Sequence, residues 1–569
     1  MKISVASRVG QSRAGMFRSS LILMFMLPAL TSAGRGTSAQ EPQPAIQEAV
    51  PIQIPPLPVS PIEQAEKDGT ALRISLRELT KLALQNNLDI AISDTNEALY
   101  QQKVFQSYGF YDPTISLSLT TGRSKSANTN ITNQSTTTFN QRDNANWNFS
   151  MTKNVPTGGA FTVNFNSGRT DTNQTASLFT PQYQSSVQIQ VTQPLWRNRR
   201  VDQTRGNIKL FNLDVKTNES KFGQNVTATI AAIHSLYWDL VGAIRDYEIK
   251  RKSVELARIT VEQNKIKLGI GTAAPINVTE ALATAASREI DLIRAKETIQ
   301  STENSLRNMI SSDRNAEIWH QTIVPTDAPD FQEYPVDLNQ AIKTALTRRP
   351  ELEQFDLQLA QNDITQQMQQ NSKKWQVDVV GTFGSNGTAG PQSFDSSGKA
   401  KIPEQFVGGL PNAYKTLFTE GLLVWNAGFS IQIPVRNRAL DAQLAQTRIA
   451  QKQLIMNRTK TEQNIIVQIR NAVEALETNR QRVETAKVSR QLAEEQLDGE
   501  TKRFQAGMSQ NFYVLQRQAD LATALGAELQ ALIAFKKAII SLQQAMYTLL
   551  ESNDFTIARG TGKTAGEFK

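Results

Sequence analysis

Hydrophobic positions along this chain recur every three to four residues, then every second residue, then every three to four again, and the cycle occurs twice. The first helical stretch, Leu76 to Gln106, is interrupted near Asn86-Asn87. Its counterpart, Leu338 to Asn371, is interrupted at Arg348-Arg349-Pro350, where proline pushes the preceding residue out of the α region. Each half therefore opens with two short helices. Strict alternation follows in Thr114 to Leu119, Trp147 to Met151, Phe161 to Phe165 and Val187 to Val191, and again in Val377 to Val379 and Phe429 to Ile433. This predicts strands with one apolar face and one face of Ser, Thr, Asn and Gln.

Two long helices come next, Arg205 to Lys267 and Arg438 to Gln505. At 1.5 Å per residue each spans roughly 100 Å, far more than a globular core needs, so they must pack as coiled coils. Val226, Ile230, Ile233, Tyr237, Leu240, Ile244 and Tyr247 form one expected seam. Ala522, Leu525, Leu529, Leu532, Lys536, Ile539, Gln543, Met546 and Leu550 form the other. Glycine-containing turns, Gly269 to Thr272 and Ala506 to Ser509, lead into return helices Ile276 to Met309 and Asn511 to Leu550.

The two cycles are copies of one unit. Ile74-Ser75-Leu76, Ala83-Leu84 and Asp89-Ile90 reappear as Val336-Asp337-Leu338, Ala345-Leu346 and Glu351-Leu352. The spacing between copies is nearly conserved through the helical hairpins and slips mostly in the strand region. Helix length is thus fixed by a distance to be spanned, while loops at the other end are free. A polar second face suits either a water-filled barrel or a half-exposed soluble sheet. Tyr111, Trp196, Trp375 and Trp425 at strand ends match the aromatic girdles of a membrane barrel.

Composition narrows the setting. Residues 1–33 read as a secretory signal, with Lys2, Arg8, Arg13 and Arg18 before the apolar run Leu21 to Leu30 and a small-residue exit at Thr31-Ser32-Ala33. Residues 34–71 are proline-rich and expected to be a disordered tether, and 553–569 a disordered tail. There is no cysteine, which excludes disulfides, zinc thiolates and a cysteine-borne lipid anchor. The net charge of +8 is spread among acids along helices, so no nucleic-acid patch is expected. His234 and His320 are the only histidines and lie far apart in sequence, so neither a metal site, a cofactor nor a catalytic constellation is predicted.

In this order the segments resemble the TolC family of outer-membrane efflux channels. The likeness covers about residues 72–552 and rests on the duplicated plan, the junctions Gln193-Pro194-Leu195-Trp196-Arg197 and Ile433-Pro434-Val435-Arg436-Asn437, and the turns around Gly271 and Gly507. It implies a mixed architecture, an all-α coiled-coil tube plus a transmembrane β-barrel, with a first repeat at 72–312 (strands about 113–195), an inter-repeat segment at 313–335 and a second repeat at 336–552 (strands about 375–435). It also implies a homotrimer whose chains each give four strands to one barrel in outer-membrane lipid, serving a periplasmic adaptor and an inner-membrane pump. The pair Trp147 to Met151 and Phe161 to Phe165 exceeds that number and is read as a hairpin inserted in an extracellular loop, a longer barrel pair being the alternative.

In the family the closed periplasmic entrance carries aspartates six and nine residues after the turn glycine, a tyrosine three before it and an arginine two after. Counting from Gly507 places Tyr513, Gln516, Phe504 and Ser509 there, and counting from Gly271 places Asn277 and Glu280. The polar lock is largely missing, which leaves Phe504, Phe512 and Tyr513 as an apolar gate, or as ordinary interhelical packing. Gly269, Gly271, Thr272, Gly507, Met508 and Ser509 are the expected adaptor-contact tips. The rival reading is a trimeric coiled-coil scaffold, which leaves the strands unexplained.

Overall fold

The computed structural model describes residues 59–127, 138–174, 177–394 and 397–555. The signal, most of the tether and nearly all of the tail therefore lie outside the described residues. The expected tether ends early: α1 (Pro61–Lys67) is a helix with proline at its start, where a missing N–H costs nothing. β1 (Ala71–Ile74) follows and later pairs in parallel with β6. α2 (Leu76–Asn86) begins at a capping box in which Ser75 and Glu78 each satisfy the other's backbone N–H. α3 (Leu88–Tyr108) starts on the Asn87 side chain, which accepts from the N–H of Ile90.

The strands are β2 (Thr114–Ala127), β3 (Phe139–Asn154), β4 (Ala160–Thr172) and β5 (Gln182–Pro194). The first helical hairpin is α4 (Gln203–Gly269) and α5 (Pro275–Ile310), followed by β6 (Thr322–Pro325). The second copy comprises α6 (Leu338–Arg348), α7 (Pro350–Ser372), β7 (Gln376–Ala389), the short α8 (Leu410–Thr419), β8 (Leu423–Gln432), α9 (Arg438–Gln505), α10 (Asn511–Ala545) and α11 (Leu549–Ser552). The predicted breaks at Asn87 and before Pro350 are where the helices divide.

One antiparallel sheet runs β2-β3-β4-β5-β7-β8. β3 and β4 are full-length members of this sheet, which departs from the inserted-hairpin reading and matches its alternative, a longer strand pair. Cross-strand rows distinguish a more apolar face from a polar one. One row is Leu117, Phe149, Phe165, Val187, Ser385 and Leu423. The next is Ser118, Asn148, Asn166, Ser186 and Asn386.

On the apolar face the row Leu119, Trp147, Ser167, Ser185 and Gly387 turns small at its centre. α8 lies in that trough. The Ser185 hydroxyl donates to the Ala413 carbonyl (2.8 Å), the Ser385 hydroxyl to Leu417 (2.6 Å), and the Trp147 indole to the Tyr414 oxygen (2.9 Å).

The expected α4 seam is buried throughout, from Val226 to Tyr247. The expected α10 seam holds in part: Leu529 is buried, and Leu532, Ile539 and Met546 pack against a core of Ala531, Phe535, Ala538 and Leu542 with Leu476 and Val483 of α9. Leu525, Leu529 and Leu532 also border an open groove with Ile249 and Leu256 of α4. Because α10 sits between α9 and α4, two of its faces are apolar, and a single heptad line describes neither fully.

His234 is a core residue. Its Nε2 lies 2.8 Å from the Thr80 hydroxyl, and burial pushes its pKa down to about 4. The unfolded chain, titrating near 6.5, accepts a proton that the fold refuses. Stability is therefore complete above that value and falls as pH drops toward about 4, by at most ~1.4 kcal/mol per pH unit. Thermal midpoints of the detergent-solubilised protein should decline across this window, and His234→Gln should flatten the decline. Equal slopes in both proteins would contradict this assignment.

A second prediction concerns α8. A Cβ at Gly387 would sit 2.1 Å from the Ala413 carbonyl oxygen and 2.8 Å from the Leu417 nitrogen, whereas one at Gly381 meets nothing within 4 Å. Gly387→Ala should free α8 from the sheet and expose its flanks to protease. Gly381→Ala should not.

Candidate functional site

For a channel of the kind the resemblance implies, the residues of interest lie in the strand wall and at the hairpin turns. Four of the six strands join helices at one level: α3 leads through a 3-10 turn (Gly109–Tyr111) into β2, β5 leads into α4, α7 into β7 and β8 into α9. Arg205 secures the β5 junction. Its guanidinium pairs with Asp202 (3.0 Å) and donates to the Arg199 (2.8 Å) and Asn198 (2.5 Å) carbonyls, while the Asp202 carboxylate caps α4.

Trp196 and Trp375 stand beside this junction with ring centroids 6.3 Å apart, both half exposed. Trp425 is exposed near the other end of β8. Tyr111 differs from these three: its hydroxyl is buried and its ring packs edge-on against Phe110, which is the exposed partner.

At the far end each hairpin turns on a glycine in the left-handed region, Gly271 at φ 77° and Gly507 at φ 76°. A Cβ at either would meet open space, so backbone conformation and not close approach requires glycine there. Gly269 merely closes α4. Thr272 donates from both N–H and hydroxyl to the Lys267 carbonyl (2.9 and 3.1 Å), and the Ser509 hydroxyl bonds to Glu500. Met508 projects into solvent.

The sequence-expected gate residues divide into two groups. Phe512 and Tyr513 touch edge to face, centroids 5.7 Å apart, and both rings are half exposed. Phe504 does not join them, because the ammonium of Lys267 lies 3.7 Å above its ring and holds it against the first hairpin. Phe512, Gln516 and Glu280 line a groove of about 660 Å³ between α5 and α10. Asn277 lies in the first turn of α5, its N–H donating to the Ala274 carbonyl.

Sequence reasoning missed Arg288. It lines the same groove and is buried within it. One guanidinium nitrogen donates to the Ser253 carbonyl of α4 and another to the Leu515 carbonyl of α10, both at 3.2 Å. Burial lowers its basicity, yet the guanidinium stays charged at neutral pH. This one side chain therefore bridges the two hairpins. Nothing in its local sequence marks it, since Ser287-Arg288-Glu289 reads as a solvated helix face. Nearby, the Gln518 amide reaches the Thr260 hydroxyl across α4 and α10 (3.4 Å).

Among the described residues no group of His, Cys, Asp or Glu could hold a metal ion, and no helix is long and apolar enough to cross a membrane.

Comparison with known proteins fits this arrangement. The outer-membrane channel CmeC of Campylobacter jejuni superposes with a TM-score of 0.60 at 15% identity, over 83% of this chain and 86% of that one. VceC of Vibrio cholerae gives 0.56 at 15%, over 83% and 95%. The open-state MtrE channel of Neisseria gonorrhoeae gives 0.54 at 15%, over 83% and 89%. These likenesses establish the shared fold. No curated protein sequence matches the chain. The sequence profile of the outer membrane efflux protein family, however, matches residues 160–312 and 341–546, most of the helix and strand framework described above. The chain belongs to the outer membrane efflux protein family and is an outer-membrane efflux channel, a helical tube carrying a β-sheet wall.

Proposed function

We propose that three copies close into one passive conduit that serves a periplasmic adaptor and an inner-membrane pump, in drug or metal efflux or type I secretion. The observation that carries this reading is a sheet with an apolar face, a Ser/Asn-lined face and two open edges. On one rim, β2 exposes Ile115, Leu117 and Leu119, and α5 exposes Ile290 and Ile293. On the other, β8 exposes Phe429 and Ile431, and α9 exposes Ile455, Met456 and Val467. The rims differ, so copies must join head to tail, and such contacts end only in a closed ring. The coiled-coil scaffold alternative gives no role to the polar face. Chemistry and energy are left to the partners, and the chain supplies a wet path.

The hairpin tips are the natural adaptor contacts, because the opposite ends of α4 and α9 run into the sheet. At the entrance we place the constriction at Phe512 and Tyr513, with Arg288 keeping α10 against the first hairpin in place of the family's acidic lock.

Three outcomes are expected. Purified oligomers should give stepwise conductance in planar bilayers, and a folded oligomer that never conducts would refute the conduit. Arg288→Ala should raise resting conductance and antibiotic leak several-fold, with Arg288→Lys intermediate, since an ammonium cannot reach both carbonyls with a planar fork. Unchanged conductance would mean that the bridge only packs. Single cysteines at Thr272 or Ser509 in this cysteine-free chain should capture the adaptor in cells. Capture only from a mid-helix site such as Ala472 would move the contact away from the tips.

A further inference from the structure

We propose that the barrel of the assembled conduit has eighteen strands, three times the six of one chain, and that the β3–β4 hairpin widens the outlet without adding a helix to the tube beneath it. This rests on the trimeric reading above. Four strands per chain is the number the family resemblance implies, and the sheet departs from it.

Pairing puts the hairpin within the wall. β2 and β3 are in register from Thr114↔Thr152 to Ala127↔Phe139, and β4 and β5 from Ala160↔Thr192 to Thr170↔Gln182. Both faces also continue across it: Phe149 and Phe165 extend the apolar row, and Asn148 and Asn166 the polar one. A hairpin standing above the membrane would have no reason to keep a band of Phe, Met and Val on one side only.

The lower turn explains how six strands stand on four helices. Where the other strands pass into helices, β3 and β4 are joined by a tight turn whose Val155 N–H donates to the Gly159 carbonyl (2.9 Å). Gly158 sits at φ 86°, and a Cβ there would lie 2.3 Å from the Asn198 carbonyl oxygen and 3.2 Å from the Pro194 ring. Thr157 and Gln193 bond side chain to side chain (2.8 Å). The turn is thus seated on the β5–α4 junction. At the other end, the Trp147 and Phe165 contacts with Tyr414 tie the hairpin through α8 to β5 and β7 of the neighbouring strand pair.

Barrel diameter grows roughly linearly with strand number, so this outlet is about half again as wide as one with four strands per chain. Size selection then falls on the hairpin tips and not on the membrane-spanning exit.

Paired cysteines on the polar face of the full-length, otherwise cysteine-free protein test the wall in outer-membrane vesicles. With a short thiol crosslinker, Ser118→Cys should link to Asn148→Cys, and Asn164→Cys to Gln188→Cys, within one chain. Ser118→Cys with Gln188→Cys should not link, since three strand spacings of about 4.8 Å separate β2 from β5. Ser118→Cys combined with one of Asn426→Cys, Gly428→Cys or Ser430→Cys should link chain to chain up to trimers. Efficient β2–β5 linkage would overturn the wide barrel by placing the hairpin outside the wall. If those same oligomers still conducted, the conduit reading would survive, whereas loss of conduction with β2–β3 linkage intact would count against the conduit alone.

Discussion

In hydrocarbon every backbone N–H and C=O must find a partner, because no water is present to substitute. A six-stranded open sheet violates this at two places, β2 and β8, and those strands also carry exposed apolar side chains. The remaining architecture follows from repairing that defect. The edges are repaired together only if copies are rotated about a common axis. In the proposed assembly the exposed apolar residues of α5 would face those of α9 on the next copy. Duplication within the chain follows the same logic, since each half sends an even number of strands up and down and returns to the tube with a long helix.

The functional surfaces are correspondingly plain. A row of Ser and Asn lines one face of the sheet. What the tips contain is mechanical: two glycines that must be left-handed, an aromatic pair, and a buried guanidinium spanning two helical hairpins. A buried cation with only carbonyl partners is costly to keep, and its hydrogen bonds to the Ser253 and Leu515 carbonyls are directional and charge-assisted.

How much of this could be read in advance depended on the range of the interactions. Helix breaks at Asn87 and Pro350 and the α4 seam are local or periodic, and were legible. Strand existence was legible too, but strand partners were not. Alternation in Trp147 to Met151 specifies an amphipathic strand and says nothing of which neighbour it joins, so the sequence alone admits both an inserted hairpin and a longer barrel pair. β1 and β6 are four residues each and separated by most of the first repeat, too short and too distant for a periodic signal. α8 was missed because its inward side, Ala413, Thr416 and Leu417, fits a trough that exists only once four strands are assembled. Arg288 looked like surface because its burial is created by α10, more than two hundred residues away in sequence.

The central claim is that closure across copies makes the wall continuous. End-on averaged electron-microscope views of the purified full-length protein in lipid nanodiscs test it most directly. The account predicts three-fold particles with an unbroken ring in the membrane layer and a central, water-filled opening. Monomers with a free sheet edge, or rings of any other symmetry, would contradict it.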